Sequence, residues 1–560
     1  MTNHSEANEN TDSNSLAIDG AILWPSVTII LALVLPLSIF PEQSRGVVNQ
    51  IFSWITGEFG WAYLLTGVSS FVFMLWVAFG PLGKIKLGAP DEVPEFRKLP
   101  WIAMLFCGGI GISICNWAFV EPLYFLSSPP FGIEANSATS AEWAAMYPMF
   151  HWGVVPWALY LLPALPVGYV LYVRRAKVLR LSEACRGILG SKVDGPIGKI
   201  IDVIVVFSIV GGVGTSLGLS VPLVAQLFEA IFEVENSFLL QMFILALWTL
   251  LIGWSVYKGL NRGIQTLSSV NAILAFVLLV FVLFAGSTVF ILNLWSNSFG
   301  LFLNNFPRMN FWTDPIAQGG FPESWTIFYW AWWIAYSPMM GLFVARISRG
   351  RTVKELVLNG VIWGSVGCWV FFAIWGGYAI DLEVNQQMGL QKILSEQGIP
   401  ATVVAILNTL PSPTIVISVF TLLCFIFLAT TVDSSAYMLS AISTKEISGY
   451  QEPARWNRVL WTCILGIVGV GLLSVGGLNV VQTSTILVAL PMIPVLIIMV
   501  ISFYRWAYQD FRSELSDKAF SHCYKTGKNH VVTAHSEVTE QKSELAGDQV
   551  KVESSPEVRA

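Results

Sequence analysis

The sequence predicts an all-α polytopic membrane protein with twelve transmembrane helices. Three observations carry that prediction. Of 560 residues, 54% are hydrophobic and only 12% charged, against about 25% charged in soluble domains. Apolar windows of about 20 residues, the length that crosses a bilayer, fall near 21–40, 61–82, 101–120, 146–172, 198–229, 238–257, 267–292, 323–346, 356–380, 411–440, 457–476 and 481–505. The basic residues, finally, alternate between the connecting loops.

That alternation sets the orientation. Lys84, Lys86, Arg97 and Lys98 follow span two, and Arg174, Arg175, Lys177, Arg180, Arg186 and Lys192 follow span four. Lys258 and Arg262 follow span six, Arg346, Arg349, Arg351 and Lys354 follow span eight, and Lys445, Arg455 and Arg458 follow span ten. The other connections carry Glu229, Glu233 and Glu235, Asp314 and Glu323, and Asp381 and Glu383. Both termini are therefore expected in the cytoplasm. Residues 1–20 are polar with no basic start, which reads as a disordered tail and not a signal peptide; residues 506–560 read as a second tail. A net charge of −5 argues against a nucleic-acid partner. The seven Cys are scattered without a C-x-x-C pair, and four of the five His lie in the tails, so neither disulfides nor a metal cluster is expected.

Several segments depart from plain spanning helices. Span three reads C-G-G-I-G-I-S from Cys107 to Ser113. Glycine weakens a helix by up to about 1 kcal/mol per residue, so the stretch is either a small-residue packing seam or an interruption whose backbone meets an ion or ligand. Span four reads H-W-G-V-V-P-W-A-L-Y, with Trp152, Trp157 and Tyr160 on one arc and Pro156 expected to bend the helix. His151 is expected in a hydrogen-bonded structural role, with a proton relay as the alternative. Residues 293–320 alternate with a helical period and suggest an amphipathic helix along the outer surface, or else an irregular loop.

Span eight is the most unusual. From Trp325 to Arg351 it carries four Trp and two Tyr within twelve residues and ends in A-R-I-S-R-G-R. On a helix Trp325, Tyr329, Trp332, Trp333 and Tyr336 share one face, and Trp330 points away. The stripe runs deeper than an interfacial aromatic belt. It is either a packing surface or a wall of π-faces for an organic cation. Span ten adds Thr430, Thr431, Asp433, Ser434 and Ser435 inside an apolar run; a membrane acid is a functional candidate, with a structural role as the alternative.

Together these residues resemble the betaine/choline/carnitine transporter family. The resemblance rests on L-G-x-P-D-E-x-P-E-F from Leu87 to Phe96, G-I-G-I-S followed by E-P, H-W-x-x-x-P-W-A-L-Y and the span-eight signature. It implies a leucine-transporter-like inverted repeat of five plus five helices, about 101–292 and 323–505, within a domain at 21–505 that starts with two extra helices. It also implies a homotrimer in the inner membrane, embedded in lipid. The implied activity is uptake of a quaternary-ammonium compound of the betaine, choline or carnitine type by sodium symport through alternating access. Proton coupling, sodium-independent substrate:product exchange and a sulfonium substrate are the alternatives. No enzymatic activity and no cofactor are expected.

By resemblance, Trp152, Trp157, Tyr160 and Trp333 form the substrate box, with Gly109, Gly111 and Ser113 meeting the polar end of the substrate. Trp332 and Tyr336 would line the pathway, with Trp325 at its outer entrance. One sodium ion would sit on the carbonyls of Cys107, Ile110 and Phe427 and the hydroxyls of Thr430 and Thr431. Sodium-free relatives place an Arg near this site, where Asn271 stands here. The family's second sodium site aligns with Ile209, Val213 and Met339, so it is expected to be lost or rebuilt on Ser208 or Thr215.

Overall fold

The computed structural model describes residues 17–511 apart from 177, 259–262, 448–451 and 476–477. Most of both expected tails lies outside the described residues, as do Lys177 and Arg262. The described chain has no strand, only isolated bridges pairing Ile18 with Thr444 and Lys86 with Thr352.

The helices are α1 (Gly20–Ile39), α2 (Pro41–Phe79), α3 (Lys98–Ile110), α4 (Ile114–Ser127), α5 (Ala138–His151), α6 (Val154–Leu161), α7 (Ala164–Gly168), α8 (Leu181–Ala184) and α9 (Arg186–Leu189). There follow α10 (Pro196–Phe232), α11 (Phe238–Lys258), α12 (Gly263–Ala285), α13 (Thr288–Phe311), α14 (Phe328–Ile347), α15 (Val353–Phe371) and α16 (Gly377–Val384). The last five are α17 (Leu390–Asn408), α18 (Pro413–Ile442), α19 (Arg455–Val475), α20 (Leu478–Ala489) and α21 (Met492–Asp510). Among the described residues, ten stretches are long and apolar enough to cross a membrane, and two shorter apolar helices, Gly20–Pro36 and Phe238–Trp254, stand at the first and sixth expected spans. This is a multi-pass membrane protein.

Where the helices depart from the expected boundaries, the cause is local. α2 begins twenty residues before the apolar window, because its first turns are polar yet helical; its 39 residues reach about 58 Å at 1.5 Å per residue. The seventh helix stops at Ala285, and residues 288–292 belong instead to α13, which covers most of the amphipathic stretch. The twelfth is split at Leu490–Pro491. No element was expected at α17, where G-I-P interrupts the periodicity; the chain turns at Gly398 (φ +85°) and stays helical on both sides.

Burial separates the centre from the rim. In the most apolar part of Thr266–Ala285 only 33% of residues are buried, against 94% in Ala138–Val173 and 100% in Pro322–Ile347. The two aromatic spans are thus the middle of the molecule. Small residues on neighbouring helices let an aromatic helix approach closely. A Cβ on Gly67 of α2 would come within 2.3 Å of Trp330 Nε1, one on Gly212 of α10 within 2.8 Å of Tyr336, and one on Gly108 of α3 within 2.6 Å of Phe343.

Past the end of α14 the two basic and acidic motifs meet. Leu87 N–H donates to Arg351 O at 2.8 Å, Gly350 N–H to Leu87 O at 2.7 Å and Val353 N–H to Ile85 O at 2.8 Å. Gly350 has φ +78°, and a Cβ there would lie 2.7 Å from Val93 O. The guanidinium of Arg351 sits 3.9 Å over Trp101 and donates to Phe96 O at 2.8 Å. Arg346 pairs with Glu95 at 3.3 Å and Arg349 with Glu92. These arginines clasp the loop between α2 and α3 to the end of α14.

The inner end of the N-terminal segment is also anchored, contrary to the expectation of a tail through residue 20. Buried Asp19 pairs with Arg180 at 2.9 Å and with Lys199, and its N–H donates to Ser443 O at 2.8 Å. Burial pushes its carboxyl up, but the Lys199 and Arg180 cations outweigh that and hold it below the usual carboxylate value. A depressed acid stabilises the fold above its unfolded-state pKa, and that contribution is lost as pH falls through the folded value. Asp19→Asn should therefore lower the thermal midpoint in detergent by about 2–4 °C at neutral pH, with the gap to wild type closing in acid. A gap that persists at low pH would show that the charge is not the cause.

Candidate functional site

The glycine stretch of span three is both a close-packed seam and an interrupted helix. Gly108 and Gly109 stay helical and act as close-contact points: a Cβ on Gly109 would lie 2.9 Å from Met340 Cε and 3.2 Å from Trp157 and Tyr160. The helix breaks at one residue, Gly111, with φ 57° and ψ −154°, before a short 3₁₀ turn to Ser113. A Cβ on Gly111 would stand 2.5 Å from Thr431 Oγ1. The break in span three and the hydroxyl pair of α18 are therefore in contact.

Thr431 Oγ1 is buried and has no hydrogen-bond partner. A buried orphan hydroxyl is costly, and this one faces the interrupted backbone. Thr430 differs: its hydroxyl donates to Phe427 O at 2.9 Å and Ile426 O at 3.1 Å, so it is turned to its own helix. The Cys107 thiol donates to Ser268 O of α12 at 3.5 Å, which leaves Cys107 its carbonyl.

Span four breaks too, although not at Pro156. α5 ends at His151, Trp152 leaves helical geometry and Gly153 (φ −100°, ψ −142°) starts α6. Pro156 lies in the first turn of α6, where proline is tolerated. The break turns Trp152 towards α14. Its ring meets Trp333 at 5.2 Å and 88° and Trp332 at 6.0 Å and 81°, while Tyr160 meets Trp333 at 4.6 Å and 67°. Edge-to-face contacts of this kind fix ring orientation.

These rings converge on a narrow cavity of about 10 Å³, room for about one water molecule as the rings now stand. Trp152, Tyr160, Trp332, Trp333 and Tyr336 form its aromatic wall; Gly109, Ile110, Ser113 and Ser216 complete the lining, and no charged side chain lines it. Tyr160 Oη donates to Gly109 O at 3.0 Å, and the Ser113 and Ser216 hydroxyls stand 3.3 Å apart. Trp332 and Tyr336, expected along the pathway, line the cavity itself.

Two residues expected in the box, Trp157 and Gly111, do not line it. Trp157 stands behind, stacked on Phe106 at 6.4 Å and 14° and facing Gly364, because that glycine admits the ring between helices. Gly111 is turned to Thr431. Trp325 packs outward among Trp117, Tyr124 and Phe125 at 6.0, 5.2 and 4.9 Å. Ser208 donates to Ala335 O at 3.0 Å, and Thr215 donates to Gly211 O at 3.0 Å and lies 2.9 Å from Thr485 Oγ1. Buried Asp433 has an Oδ1 without a hydrogen-bond partner; Arg458 and Glu452, paired at 3.1 Å, are the charges that act on it.

Two contributors were missed. Ser216 is one hydroxyl among many in span five. Glu121 stood in plain view in the E-P motif. It is fully buried; its Oε2 accepts from Trp152 Nε1 at 2.8 Å and Tyr329 Oη at 2.7 Å, and its Oε1 lies 3.0 Å from His151 Nδ1. His151 Nε2 lies 3.1 Å from Thr326 Oγ1, and Trp333 Nε1 donates to His151 O at 3.0 Å. An acid inside a span was the signal that could have found Glu121.

A family model described as BCCT, betaine/carnitine/choline family transporter, matches residues 21–512. The chain belongs to that family. The family is one of transporters and not of enzymes, and a transporter takes a small substrate through a cavity at its centre, which is where the aromatic cavity lies.

The Gly111–Thr431 contact makes a direct prediction. Gly111→Ala should cut transport at least tenfold, since the left-handed backbone and the 2.5 Å approach both exclude a methyl group. Transport of the purified variant, compared at equal protein, measures this; wild-type rates would remove the contact from the mechanism.

Proposed function

We propose that this transporter takes up a quaternary-ammonium compound of the betaine, choline or carnitine type, driven by sodium symport through alternating access. The observation that carries the reading is the uncharged aromatic cavity. A trimethylammonium head has no N–H to donate, so its recognition depends on π-faces, each worth about 0.5–2 kcal/mol with desolvation. Five rings converge on one cavity here, and Ser113 and Ser216 offer hydroxyls to the other end of the substrate.

The orphan Thr431 hydroxyl against Gly111 supports sodium as the coupling ion, held by the carbonyls of Cys107, Ile110 and Phe427 and the hydroxyls of Thr430 and Thr431. Asn271 supports it as well: the position where sodium-free relatives carry Arg holds a buried neutral amide with neither polar atom paired. A proton-coupled mechanism is the second reading, favoured by the unpartnered Oδ1 of Asp433. The ten long and two shorter apolar helices are consistent with twelve spans arranged as a 5+5 inverted repeat after two extra helices. On the same reading the protein sits in the inner membrane with both termini cytoplasmic, as a homotrimer.

Purified protein in liposomes, with labelled betaine, choline and carnitine under imposed sodium or proton gradients, tests the reading. Sodium-driven accumulation is expected; accumulation driven by protons alone would move the assignment to the second reading. Thr431→Val should raise the sodium concentration for half-maximal uptake at least tenfold. Trp333→Leu should raise KM for the onium substrate by roughly tenfold, the equivalent of about 1.4 kcal/mol, and an unchanged KM would remove Trp333 from the box.

A further inference from the structure

We propose that Glu121 is the positioning residue of the aromatic cavity: its one carboxyl group aims the ring of Trp152 directly and that of Trp333 through His151. The inference rests on the reading of the cavity as an onium site and adds what sets the angle of its walls.

The size of the cavity creates the need for such a residue. As the rings stand there is room for about one water molecule, so an onium head enters only when they part. While they touch, the edge-to-face contact of Trp152 with Trp333, at 5.2 Å and 88°, fixes each ring against the other. Once they separate that contact weakens, and the direction of each ring is left to its hydrogen bond. A cation is attracted to the face of an aromatic ring and not to its edge. The hydrogen bonds therefore decide whether the opened cavity presents faces to its substrate.

The break in span four supplies the acceptors. The last carbonyls of a helix have no partner within it, and at the end of α5 two of them are taken by indoles. Trp369 Nε1 donates to Met149 O at 2.8 Å and Trp333 Nε1 to His151 O at 3.0 Å. Trp152, the residue at the break, donates its own indole N–H to Glu121 Oε2 at 2.8 Å. His151 is held through both ring nitrogens, with Nδ1 3.0 Å from Glu121 Oε1 and Nε2 3.1 Å from Thr326 Oγ1. Its carbonyl is thereby a fixed acceptor for Trp333. Tyr329 closes the circuit: its hydroxyl donates to Oε2 at 2.7 Å and its ring stacks 4.6 Å from His151 at 28°. Glu121 stands on α4 and is completely buried, so one side chain joins span three to the break in span four and to span eight.

The arrangement does not depend on charge. A carboxylate accepts from Trp152, Tyr329 and His151. A neutral acid accepts the first two at Oε2 and donates from Oε1 to His151 Nδ1, and Nε2–H then donates to Thr326. Both forms hold the same atoms in the same places. What the rings require of Glu121 is its reach from α4.

Two variants separate reach from charge. Glu121→Asp keeps the acid but is one methylene shorter, which draws the acceptor back from the Trp152 N–H. Glu121→Gln keeps the length and removes the acid: the amide oxygen takes the Trp152 and Tyr329 donors, and the amide N–H₂ donates to His151 Nδ1 as the neutral acid does. Each purified protein is titrated with tetramethylammonium by isothermal titration calorimetry, and choline uptake is measured in liposomes. E121D is expected to raise Kd and KM at least tenfold, the scale of one buried hydrogen bond lost, with Vmax within about threefold of wild type. E121Q restores the reach and is expected to bring Kd and KM back to within about threefold of wild type. A Kd unchanged in E121D, or raised tenfold in E121Q, overturns the proposal. So does a Vmax in E121D that falls as far as KM rises, the mark of a merely structural role. If E121D is not recovered folded, Glu121→Met replaces it with the same outcomes, and loss of both makes Glu121 a residue of the fold alone and overturns the proposal. Wild-type protein that binds no tetramethylammonium overturns instead the onium reading of the cavity, and so the two failures are told apart.

Discussion

The constraint on which the middle of the structure depends is steric: several of its large rings sit where a facing helix gives up its Cβ atom. α14 is enclosed on all sides, and its bulky side chains land on glycines of three other helices, Gly67, Gly212 and Gly108. Interiors pack at crystal-like density, so a methyl group at any of these contacts must displace a ring or a backbone. That close approach does more than fill space. It sets the rotation of α14, and the rotation decides which rings reach the cavity and which, like Trp330, are spent on packing.

Around the cavity, polar groups sort by whether they have somewhere to turn. Thr430 satisfies its hydroxyl on its own helix, and Ser208 and Thr215 satisfy theirs on neighbours. Thr431 is held against a broken backbone with no such outlet. Glu121 takes the Trp152 and Tyr329 donors at Oε2 and faces His151 Nδ1 with Oε1. The result is a cavity with neutral walls, flanked by an uncommitted hydroxyl on one side and a buried carboxyl group on the other. Burial of polar groups costs free energy, and the unpartnered Thr431 hydroxyl carries part of that cost beside the cavity.

Much of the architecture was legible because hydropathy, loop charge and aromatic periodicity are local properties. The all-helical, multi-pass class and the stripe on span eight could be read off directly, and the stripe did put Trp332, Trp333 and Tyr336 on one side. What was not legible depends on pairing across the chain. Nothing around Gly67 or Gly212 announces the ring it faces. Trp157 shares an arc with Trp152 and Tyr160 only if span four is one continuous helix, and the break at Trp152–Gly153 sends it behind the box. Glu121 was passed over because its neighbour Pro122 read as part of a motif, while its three partners come from spans four and eight. The bend was assigned to Pro156 because proline is the usual cause, yet in a first turn it disturbs nothing.

The clasp between the α2–α3 loop and the end of α14 has a consequence for motion. Two motifs more than two hundred residues apart are welded into one body by backbone hydrogen bonds, a glycine that admits no side chain, and Arg351 laid across Trp101. Trp101 begins α3, the helix that carries Gly108, Gly109 and Ile110 to the cavity. Any tilt of α14 is thus handed on to the floor of the cavity as well as to its wall. Separating α14 from α3 at this end would therefore mean breaking the clasp.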